Sequence, residues 1–414
     1  MKKSLPIIIL PLIMAACAGA GNRTQEVGEI LYLWGDYVEE RGDDYPTLTI
    51  SPDERRRILR DLPVINFSSA ITRNVPDRIS WNDLAEEITF IPIETSDEVL
   101  LGNSVEVFHV SDDSYWVVDR TPMSRQVIFR IDRNGKAITQ LSRYGRGPGE
   151  VLYIEDIYAD QGRGIIKAYD GESKVLVEWD LTGRLIRETN LRGKVTSSRL
   201  ISGDYSVFAG MQGSGCMHKI IVTDSESNII YGMYPDDLSD RWTATDVSRT
   251  FNSDMAIIDT GDDDEIVFRI TDKGVEPLFV LRMGSWRRQP GEPSPLNWRL
   301  PNGEPPPKIS TRTIGSIPNY YIIRYRRMDK ERDEGWYCDL WSKATQQIIS
   351  RRIGSSEYVG LGLTLASGKT INASPTYIYG DTVVMLIQAD EVYDAMDGMK
   401  RDDNPVIVHI KLKR

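Results

Sequence analysis

Histidine and cysteine are scarce in this sequence, which has only three of each among its 414 residues. His109, His218 and His409 are isolated, and the chain has no Cys-x-x-Cys or His-x-x-x-His spacing. Zinc sites are usually built from such closely spaced ligands. We therefore expect no metal site and no bound cofactor.

Common catalytic motifs are missing as well. The sequence has no Gly-x-Ser-x-Gly elbow, no His-Glu-x-x-His and no complete Gly-x-x-x-x-Gly-Lys-Ser/Thr phosphate loop. Neighbouring acids such as Glu155 and Asp156 do not by themselves supply two carboxylates at the separation that glycoside hydrolysis requires. These absences favour a protein that is not an enzyme. The alternative is a hydrolase or lyase whose site combines residues from distant parts of the chain.

Positive charge is in deficit, because 50 Lys and Arg residues face 61 Asp and Glu residues, for a formal net charge of −11. A nucleic-acid surface requires clustered basic residues. The one dense cluster, residues 54–60 (ERRRILR), is typical of the solvated face of a short helix. We expect no nucleic-acid partner.

Long apolar runs are confined to the start of the sequence. Residues 5–14 follow two lysines and precede Ala, Ala and Cys, which is the layout of a signal peptide too short to span a membrane. Residues 14–17 (MAAC) resemble the lipobox of bacterial lipoproteins, although Leu is more usual than Met at the first position. The resemblance implies cleavage before Cys17 and acyl chains on it that anchor the chain to a membrane. An ordinary secretory signal with an incidental cysteine is the alternative.

These features divide the chain into a signal peptide at 1–16, a lipidated segment at 17–80 and a β domain at 81–414. Within the middle segment, Ser51 and Glu54 have the spacing of a capping box, which predicts a short helix that ends before Pro63. Residues 29–40 (EILYLWGDYVEE) are too aromatic for a flexible tether. They either pack against the side of the β domain or bind a partner.

The sequence after residue 80 is rich in short alternating runs separated by Gly, Asp and Asn, which is typical of strands joined by tight turns. A hairpin pattern recurs at residues 127–141, 175–189, 219–232, 266–280 and, without its Gly, 336–350. Its turn Asp residues are 48, 44 and 48 residues apart along the chain. A period in the forties predicts a β-propeller, with one four-stranded blade per period. A β-sandwich with coincidental turns is the alternative.

Each hairpin is preceded by a second pair of strand-like runs, and six such units fit between residues 104 and 414. The last unit lacks one strand, whereas residues 86–95 (EEITFIPIET) form a spare strand before the first unit. We therefore predict an all-β, six-bladed propeller of four-stranded antiparallel blades. Its ring closes when this N-terminal strand pairs with the C-terminal blade, which removes two exposed sheet edges.

Three further features allow two interpretations each. Residues 287–308 form a proline-rich loop, in which Trp286, at its border, and Trp298 provide either stacking surfaces for a ligand or packing contacts. Residues 261–265 (GDDDE) are oxygen-rich but lack the spacing of a calcium loop, which favours a solvated turn. Cys216 and Cys338 have a spacing that neither predicts nor excludes a disulfide.

Several segments resemble the bacterial six-bladed β-propeller lipoproteins, which are relatives of the NHL-repeat propellers. The resemblance is carried by ITFIPIETSDEVLLGNSVEVF (88–108), YWVVDR (115–120), VIFRIDRNGKAITQLSRYGRGPGEVLYIEDIYAD (127–160) and NPVIVHIKLKR (404–414). It covers roughly residues 80–414, is strongest in the first two blades, and leaves the proline-rich loop and residues 18–80 outside. It implies the fold and an exported lipoprotein of a two-membrane bacterium, but no reaction or ligand.

The glycine-rich stretch at 144–151 (YGRGPGEV) lies where the chain passes from the first blade to the second. Pro148-Gly149 predicts a type II turn. Blade junctions of this kind line the surface where propellers bind ligands, so the candidate contact residues are Arg120, Arg143, Tyr144, Arg146 and Glu150. The alternative for each is a salt bridge between blades or a contact within the turn.

Together these features predict a monomeric binding or scaffold propeller for a glycan, peptide or protein partner. We expect an outer-membrane lipoprotein. The first acid after Cys17 is delayed to Glu26, which favours the periplasmic face over the cell surface.

Overall fold

The structure is a computed structural model of the whole chain. It describes residues 37–39, 47–49, 56, 60–71, 73–121, 126–141, 143–160, 162–191, 197–201, 206–209, 220–226, 228–233, 247–252, 255–259, 264–271, 274–286, 308–329, 332–356 and 358–414.

The described strands form six sheets that each contain four antiparallel strands in simple order. The first sheet consists of β5 (Val105–Val110), β6 (Ser114–Asp119), β7 (Val127–Asp132) and β8 (Ala137–Gln140); the second of β11 (Ile154–Asp160), β12 (Ile165–Asp170), β13 (Val175–Asp180) and β14 (Leu185–Asn190); the third of β15 (Ser197–Ile201), β16 (Ser206–Ala209), β17 (Ile220–Thr223) and β18 (Ile229–Met233). The fourth consists of β19 (Val247–Arg249), β20 (Met255–Asp259), β21 (Asp264–Thr271) and β22 (Gly274–Arg282); the fifth of β23 (Lys308–Ile317), β24 (Tyr320–Asp329), β25 (Arg332–Ser342) and β26 (Gln347–Gly354); the sixth of β29 (Tyr377–Tyr379), β30 (Thr382–Ile387), β31 (Val406–Leu412) and β4 (Ala85–Pro92).

The remaining elements are short. They are the strands β1 (Tyr37–Glu39), β2 (Thr47–Thr49), β3 (Val64–Ile65), β9 (Arg143–Tyr144), β10 (Glu150–Val151), β27 (Leu361–Thr364) and β28 (Thr370–Ala373), the helices α1 (Phe67–Ala70), α2 (Trp81–Leu84) and α3 (Ala389–Val392), and two 3-10 turns at Gly284–Trp286 and Tyr393–Ala395. Residues 56, 60 and 61 are helical, and the rest of the helix predicted before Pro63 lies outside the described residues.

The repeated hairpins form as the turn chemistry predicts. The Asp132 carboxylate accepts hydrogen bonds from the backbone N–H groups of Asn134 and Lys136 at 2.8 and 2.9 Å. Asp180 and Asp224 repeat this pattern two and four residues downstream. Gly135 supplies the positive φ of +90° that an ordinary residue rarely adopts. In the fifth sheet, whose turn lacks Gly, Gln346 takes this conformation with a φ of +56°.

The sheets pack face to face in chain order. Separate buried apolar clusters lie between the first and second sheets, the second and third, the fourth and fifth, the fifth and sixth, and the sixth and first. Both faces of an inner strand are therefore covered, and all six residues of β6 are buried. The first strands of the sheets are neighbours in the series β5, β11, β15, β19, β23 and β29, and β29 also lies against β5. This is an all-β arrangement consistent with a propeller.

The sixth sheet combines the two ends of the β domain. β4 pairs with β31 in an antiparallel register that runs from Pro92 opposite Val406 to Ala85 opposite Leu412. The N-terminal strand thus occupies the outer position of this sheet, where sequence analysis placed the spare strand.

The segment before β4 follows the outer edges of the neighbouring sheets. β2 adds a parallel strand to β18 of the third sheet, and β1 pairs with β2. β3 adds a parallel strand to β22 of the fourth sheet. Residues 71 and 73–80 then lie along β26 of the fifth sheet, where Ser350 accepts hydrogen bonds from the backbone N–H groups of residues 78 and 79. We call the described residues between 37 and 80 the strap.

Antiparallel order places the loops between second and third strands, including 171–174 and 388–405, at one end of the sheets, which we call the connector face. The connections from a fourth strand to the next first strand lead to this face. Two of them begin beside the hairpin turn of the next sheet, because the Glu94 N–H donates to the Gly135 carbonyl at 2.9 Å and a Cβ added to Gly183 would lie 2.7 Å from the Leu141 carbonyl oxygen. The turn face carries the hairpin turns, including 111–113, 133–136, 181–184, 318–319 and 380–381.

Candidate binding face

The junction between the first and second sheets begins beside the hairpin turn of the second sheet, ends at Asp170 on the connector face and contains most of the predicted contact residues. β9 and β10 pair in parallel, with Arg143 opposite Glu150 and Tyr144 opposite Val151. The Glu150 N–H donates to the Gly147 carbonyl at 3.0 Å, and Gly149 has a φ of +72°. This is the type II turn predicted from Pro148-Gly149. Gly149 is needed in it because the turn requires a positive φ at that position.

Glu150 faces the backbone of its own loop. Its Oε2 accepts a hydrogen bond from the Gly147 N–H at 2.9 Å. A Cβ atom added to Gly145 would lie 1.9 Å from the same oxygen. The carboxylate therefore fits only because residue 145 is glycine, and Glu150 stabilises the junction instead of reaching outward. For this residue, the structure favours the turn contact.

Tyr144 and Arg146 point away from the junction. The Tyr144 side chain is 56 % exposed, and Arg146 is exposed too. Of Arg143 only the backbone pairing is described.

Arg120 directly follows β6 in the first sheet. Its Nη1 is 3.3 Å from Glu106 Oε2, and its side chain is only 12 % exposed. Glu106 belongs to β5, so this ion pair joins neighbouring strands of one sheet.

Two aspartates that the sequence analysis did not single out hold the connector face in place. Asp119 accepts hydrogen bonds from the N–H groups of Gly102 and Thr121 at 2.9 and 2.8 Å. Asp170 occupies the same position in the second sheet and accepts from Leu152 and Glu172 at 2.8 and 2.9 Å. Both end the second strand of their sheet, and this repeated position was the signal that could have revealed them.

The connector face carries most of the exposed large side chains that lie in loops. Leu100, Tyr144 and Tyr153 lie on its first two connections, Tyr358 on the connection after the fifth sheet, and Tyr393 between the second and third strands of the sixth sheet. Tyrosine combines a large apolar ring with a hydroxyl group, which suits it to contacts with peptides and sugars.

Near the turn face, Phe251 joins three sheets. The Phe251 N–H donates to the Ile314 carbonyl at 2.8 Å, and the Ile378 N–H donates to the Phe251 carbonyl at 3.0 Å. Phe251 thus bridges the first strands of the fifth and sixth sheets and is 7 % exposed. Gly315 makes room for it, because an added Cβ would lie 3.2 Å from the Phe251 ring and 2.7 Å from Ile378.

The two described histidines are partly buried, and burial favours their neutral form. Burial lowers the pKa of His109 to about 4, and the ring meets Tyr377 edge-on, with 6.5 Å between ring centres. Burial and the nearby Arg133 lower the pKa of His409, whose Nδ1 lies 3.0 Å from the Tyr115 hydroxyl group. Both histidines make packing contacts between the first and sixth sheets.

Other candidate reactive groups serve the fold too. Cys338 is a free, buried thiol, and burial raises its pKa to about 12, which makes it a poor nucleophile. Cys216 lies outside the described residues. In the part of the chain that the structure describes, no group of three or more His, Cys, Asp and Glu residues is arranged to hold a metal ion.

Trp286 is a packing residue, because the guanidinium carbon of Arg327 lies 4.8 Å from its ring centre. Trp298 and most of the proline-rich loop lie outside the described residues, as do residues 261–263 of the acidic stretch. Asp264 and Glu265 begin β21. The sequence also contains Gly-Lys-Thr at 368–370, which the motif analysis overlooked. It lies in the hairpin between β27 and β28 and not at the start of a helix, so it is not a phosphate loop.

These observations define an all-β protein built from stacked four-stranded sheets, with a tyrosine-bearing connector face. A family model described as "Domain of unknown function (DUF4934)" matches residues 62–411, so the chain belongs to this family. The match begins inside the strap. No curated protein matches the chain.

One solved structure shares the fold at low sequence identity, and two further structures align over most of this chain with lower scores. An exported protein from Bacteroides fragilis NCTC 9343 superposes with a TM-score of 0.57 and 14% identity, covering 85% of this chain and 100% of that chain. A DUF4221 family member from Bacteroides vulgatus gives a TM-score of 0.44 at 10% identity, with 80% and 97% covered. Virginiamycin B lyase from Staphylococcus aureus gives 0.39 at 12% identity, with 79% and 99% covered. Among the described residues, no helix has the length and apolar character that crossing a membrane requires.

Proposed function

We propose that this protein is a cell-envelope lipoprotein whose β domain is a closed six-bladed propeller, related to the NHL-repeat propellers, that binds a partner without catalysing a reaction. The ring is supported by the neighbour series of first strands, in which β29 contacts both β23 and β5. It is supported further by the β4–β31 pairing and by the apolar cluster between the sixth and first sheets. A closed ring leaves no sheet face uncovered.

The observation that carries the binding role is the contrast between the two faces. Phe251 joins three sheets near the turn face, whereas the connector face and the connections that lead to it present four exposed tyrosines together with Arg146. Tyrosine and arginine are enriched where proteins bind partners. The partner is a protein edge, a peptide or a glycan, and the connector face is the side from which it approaches.

The proposed location in the cell envelope is supported by the sequence of residues 1–17. The lipobox-like MAAC places the acyl anchor on Cys17, and acyl chains at one residue hold a protein on a membrane without a spanning helix. The similar B. fragilis protein is described as exported, which agrees with this address. We propose the outer membrane, with the monomeric β domain on the periplasmic side. The division into residues 1–16, 17–80 and 81–414 belongs to this proposal.

The test compares one tyrosine on each face. Tyr144 and Tyr379 are 56 % and 62 % exposed, and Tyr379 ends β29 next to the turn face. The lipidated protein and its Tyr144→Ala, Arg146→Ala and Tyr379→Ala variants are used as baits for envelope proteins, peptides and soluble peptidoglycan fragments. Saturable binding that Tyr144→Ala or Arg146→Ala weakens about tenfold or more, and that Tyr379→Ala leaves unchanged, supports the proposal.

Two results would count against the proposed function. An equal loss of binding in all three variants would mean that the partner does not bind specifically at Tyr144 and Arg146. Cleavage or elimination products from any probe would assign the protein to the enzymes. Protease shaving of whole cells tests the orientation, because a periplasmic domain is protected and a surface domain is digested.

A further inference from the structure

The first and second sheets share a backbone framework at the connector face. In both sheets the first strand begins opposite an aspartate, and the two pairs are Val105 with Asp119 and Ile154 with Asp170. The Arg120 N–H donates to the Ser104 carbonyl at 2.7 Å, and the Gly171 N–H donates to the Tyr153 carbonyl at 2.9 Å. Arg120 and Gly171 therefore occupy equivalent positions, one residue after the aspartate.

The two sheets use this position differently. In the first sheet, Arg120 Nη1 lies 3.3 Å from the Glu106 carboxylate. In the second sheet, the equivalent acid is Glu155, and Gly171 stands where the first sheet has the arginine. A Cβ added to Gly171 would lie 2.7 Å from Glu155 Oε2 and 3.2 Å from Tyr153 Cδ1. The carboxylate and the tyrosine ring thus lie side by side next to the glycine.

Glu155 is placed there by a β-bulge. The register passes from Ile154 opposite Asp170 to Asp156 opposite Tyr169, so Glu155 is an extra residue in β11. A bulge redirects a side chain and is common beside functional sites. This bulge accounts for the position of the carboxylate beside the glycine.

One buried carboxylate fixes the backbone on both sides of this pair. Asp170, which is 1 % exposed, accepts hydrogen bonds from the N–H groups of Leu152 and Tyr153 at 2.8 and 3.3 Å. It also accepts from the N–H groups of Glu172 and Ser173 at 2.9 and 3.2 Å. Because a ligand that binds here does not have to order these loops, binding loses less conformational entropy.

An exposed aromatic ring beside a carboxylate matches the chemistry of a sugar. Tyr153 is 48 % exposed. A pyranose ring has an apolar C–H face that packs on an aromatic ring, and its hydroxyl groups donate to a carboxylate, which has several acceptor positions. A basic peptide side chain fits less well, because the Lys174 ammonium donates to the Gly171 carbonyl and places a cation at the same glycine.

We propose that Tyr153, Glu155 and Gly171 form a sugar-binding subsite. This inference rests on the proposed binding function and narrows its partner to a glycan. The sugar ring stacks on Tyr153 and donates hydroxyl groups to Glu155. The first sheet has no matching subsite, because Arg120 occupies the equivalent position.

Glycan and peptide arrays probed with the full chain in detergent micelles test the proposal. The glycan array carries neutral oligosaccharides, acidic oligosaccharides and soluble peptidoglycan fragments. Tyr153→Ala removes the stacking ring, and Gly171→Arg copies the first sheet, so each should weaken glycan binding about tenfold or more. Gly162→Arg is the matched control, because it lies in the turn at the opposite end of the same sheet, where an added Cβ would be 3.4 Å from Asp160 Oδ1. It should bind glycans as the unaltered protein does.

Three results would overturn the subsite, and they separate it from the proposed function. Glycan binding that survives both Tyr153→Ala and Gly171→Arg overturns the subsite alone. Peptide binding without glycan binding also overturns it, but supports the proposed function when Tyr144→Ala weakens that binding. Absence of binding to both arrays overturns both. Thermal unfolding shows whether each variant is folded, and Tyr153→Ala decides the outcome if Gly171→Arg is not, because Tyr153 is half exposed and its removal leaves the core intact.

Discussion

The second and fifth sheets end at their outer edges in two different ways. β14 alternates strictly between half-buried and exposed residues, and its regular hairpin is set by Asp180 and Gly183. β26 instead carries residues that contact the chain more than 270 positions earlier. Arg351 Nη1 donates to the carbonyls of Ile71 and Arg73 at 3.1 and 2.6 Å.

The difference teaches that one repeat serves two purposes. The Arg351 guanidinium is also bound to Asp339 by two hydrogen bonds of 2.7 Å, and both groups are almost fully buried. Tyr325 donates a third hydrogen bond to the same carboxylate at 3.1 Å. In the fifth sheet, the buried Asp339–Arg351 ion pair of strands β25 and β26 binds the strap, and we call this ion pair the clasp. In the second sheet, the outer strand β14 has only the alternation of half-buried and exposed residues.

The largest effect is expected from breaking the clasp. Arg351→Ala leaves the buried Asp339 without its cation, which should lower the free energy of unfolding by about 3–5 kcal/mol. Arg352→Ala is the control, because its partners Asp77 and Asn372 are exposed, and it should cost less than about 1 kcal/mol. Urea unfolding measures both. Similar losses in the two variants would contradict the clasp.

The stability of the protein should depend on pH through His109, which lies on the first strand of the first sheet. Burial lowers the pKa of His109 to about 4 from its usual 6.5, while Asp160 at the end of β11 opposes this shift. Because the unfolded chain takes up the proton first, stability should fall as the pH drops from about 6.5 to 4, by up to about 3 kcal/mol.

The measurement for this prediction is the free energy of unfolding at pH 7, 5.5 and 4 for the unaltered protein and for His109→Gln. The variant should show the smaller loss, with the remainder due in part to His409, whose pKa is also lowered. An identical pH dependence in both proteins would show that His109 does not titrate in this range.

Turn chemistry in the second sheet gives a smaller effect. Gly183 has a φ of +86°, and an added Cβ would lie 2.7 Å from the Leu141 carbonyl oxygen of the preceding connection. Gly164 has a φ of +69° and open space around it. Gly183→Ala should cost about 2 kcal/mol and Gly164→Ala about 1 kcal/mol. Thermal unfolding of the two variants tests this order, and a reversed order would contradict the contact between the turn and the first sheet.

The smallest effect compares one polar residue on each of the two outer strands. Ser350→Ala removes the acceptor for the backbone N–H groups of residues 78 and 79 and should cost about 1 kcal/mol. Thr189→Ala, on β14, should change stability by less than about 0.5 kcal/mol. Denaturation midpoints measure both. An equal effect would mean that the strap is not held through Ser350.

The hairpin turns could be predicted from the sequence, whereas the contacts between Arg351 and the strap could not. Asp132, Asp180 and Asp224 act on residues two and four positions away, so a short window contains the whole interaction. The type II turn at Pro148-Gly149 could be predicted for the same reason, because all of its residues are adjacent in the sequence. Arg351 and Asp339 share a hairpin, but their partners at 71 and 73 are brought near only by the complete fold.

The candidate site shows the same limit. Sequence spacing located the junction that presents Tyr144 and Arg146, but not the direction of Glu150, which depends on the absence of a side chain at Gly145. It could not reveal the contacts of Phe251, because they join three different sheets. The contrast between the faces therefore required the structure.

The closed ring is tested most directly by removing residues 405–414, which include the whole of β31. The readout is hydrogen exchange of the β12 amides at 165–170, in the second sheet. A closed ring predicts that β12 loses its protection together with the sixth sheet, because the sheets unfold as one unit. Full protection of β12, with an unchanged unfolding midpoint, would contradict the ring.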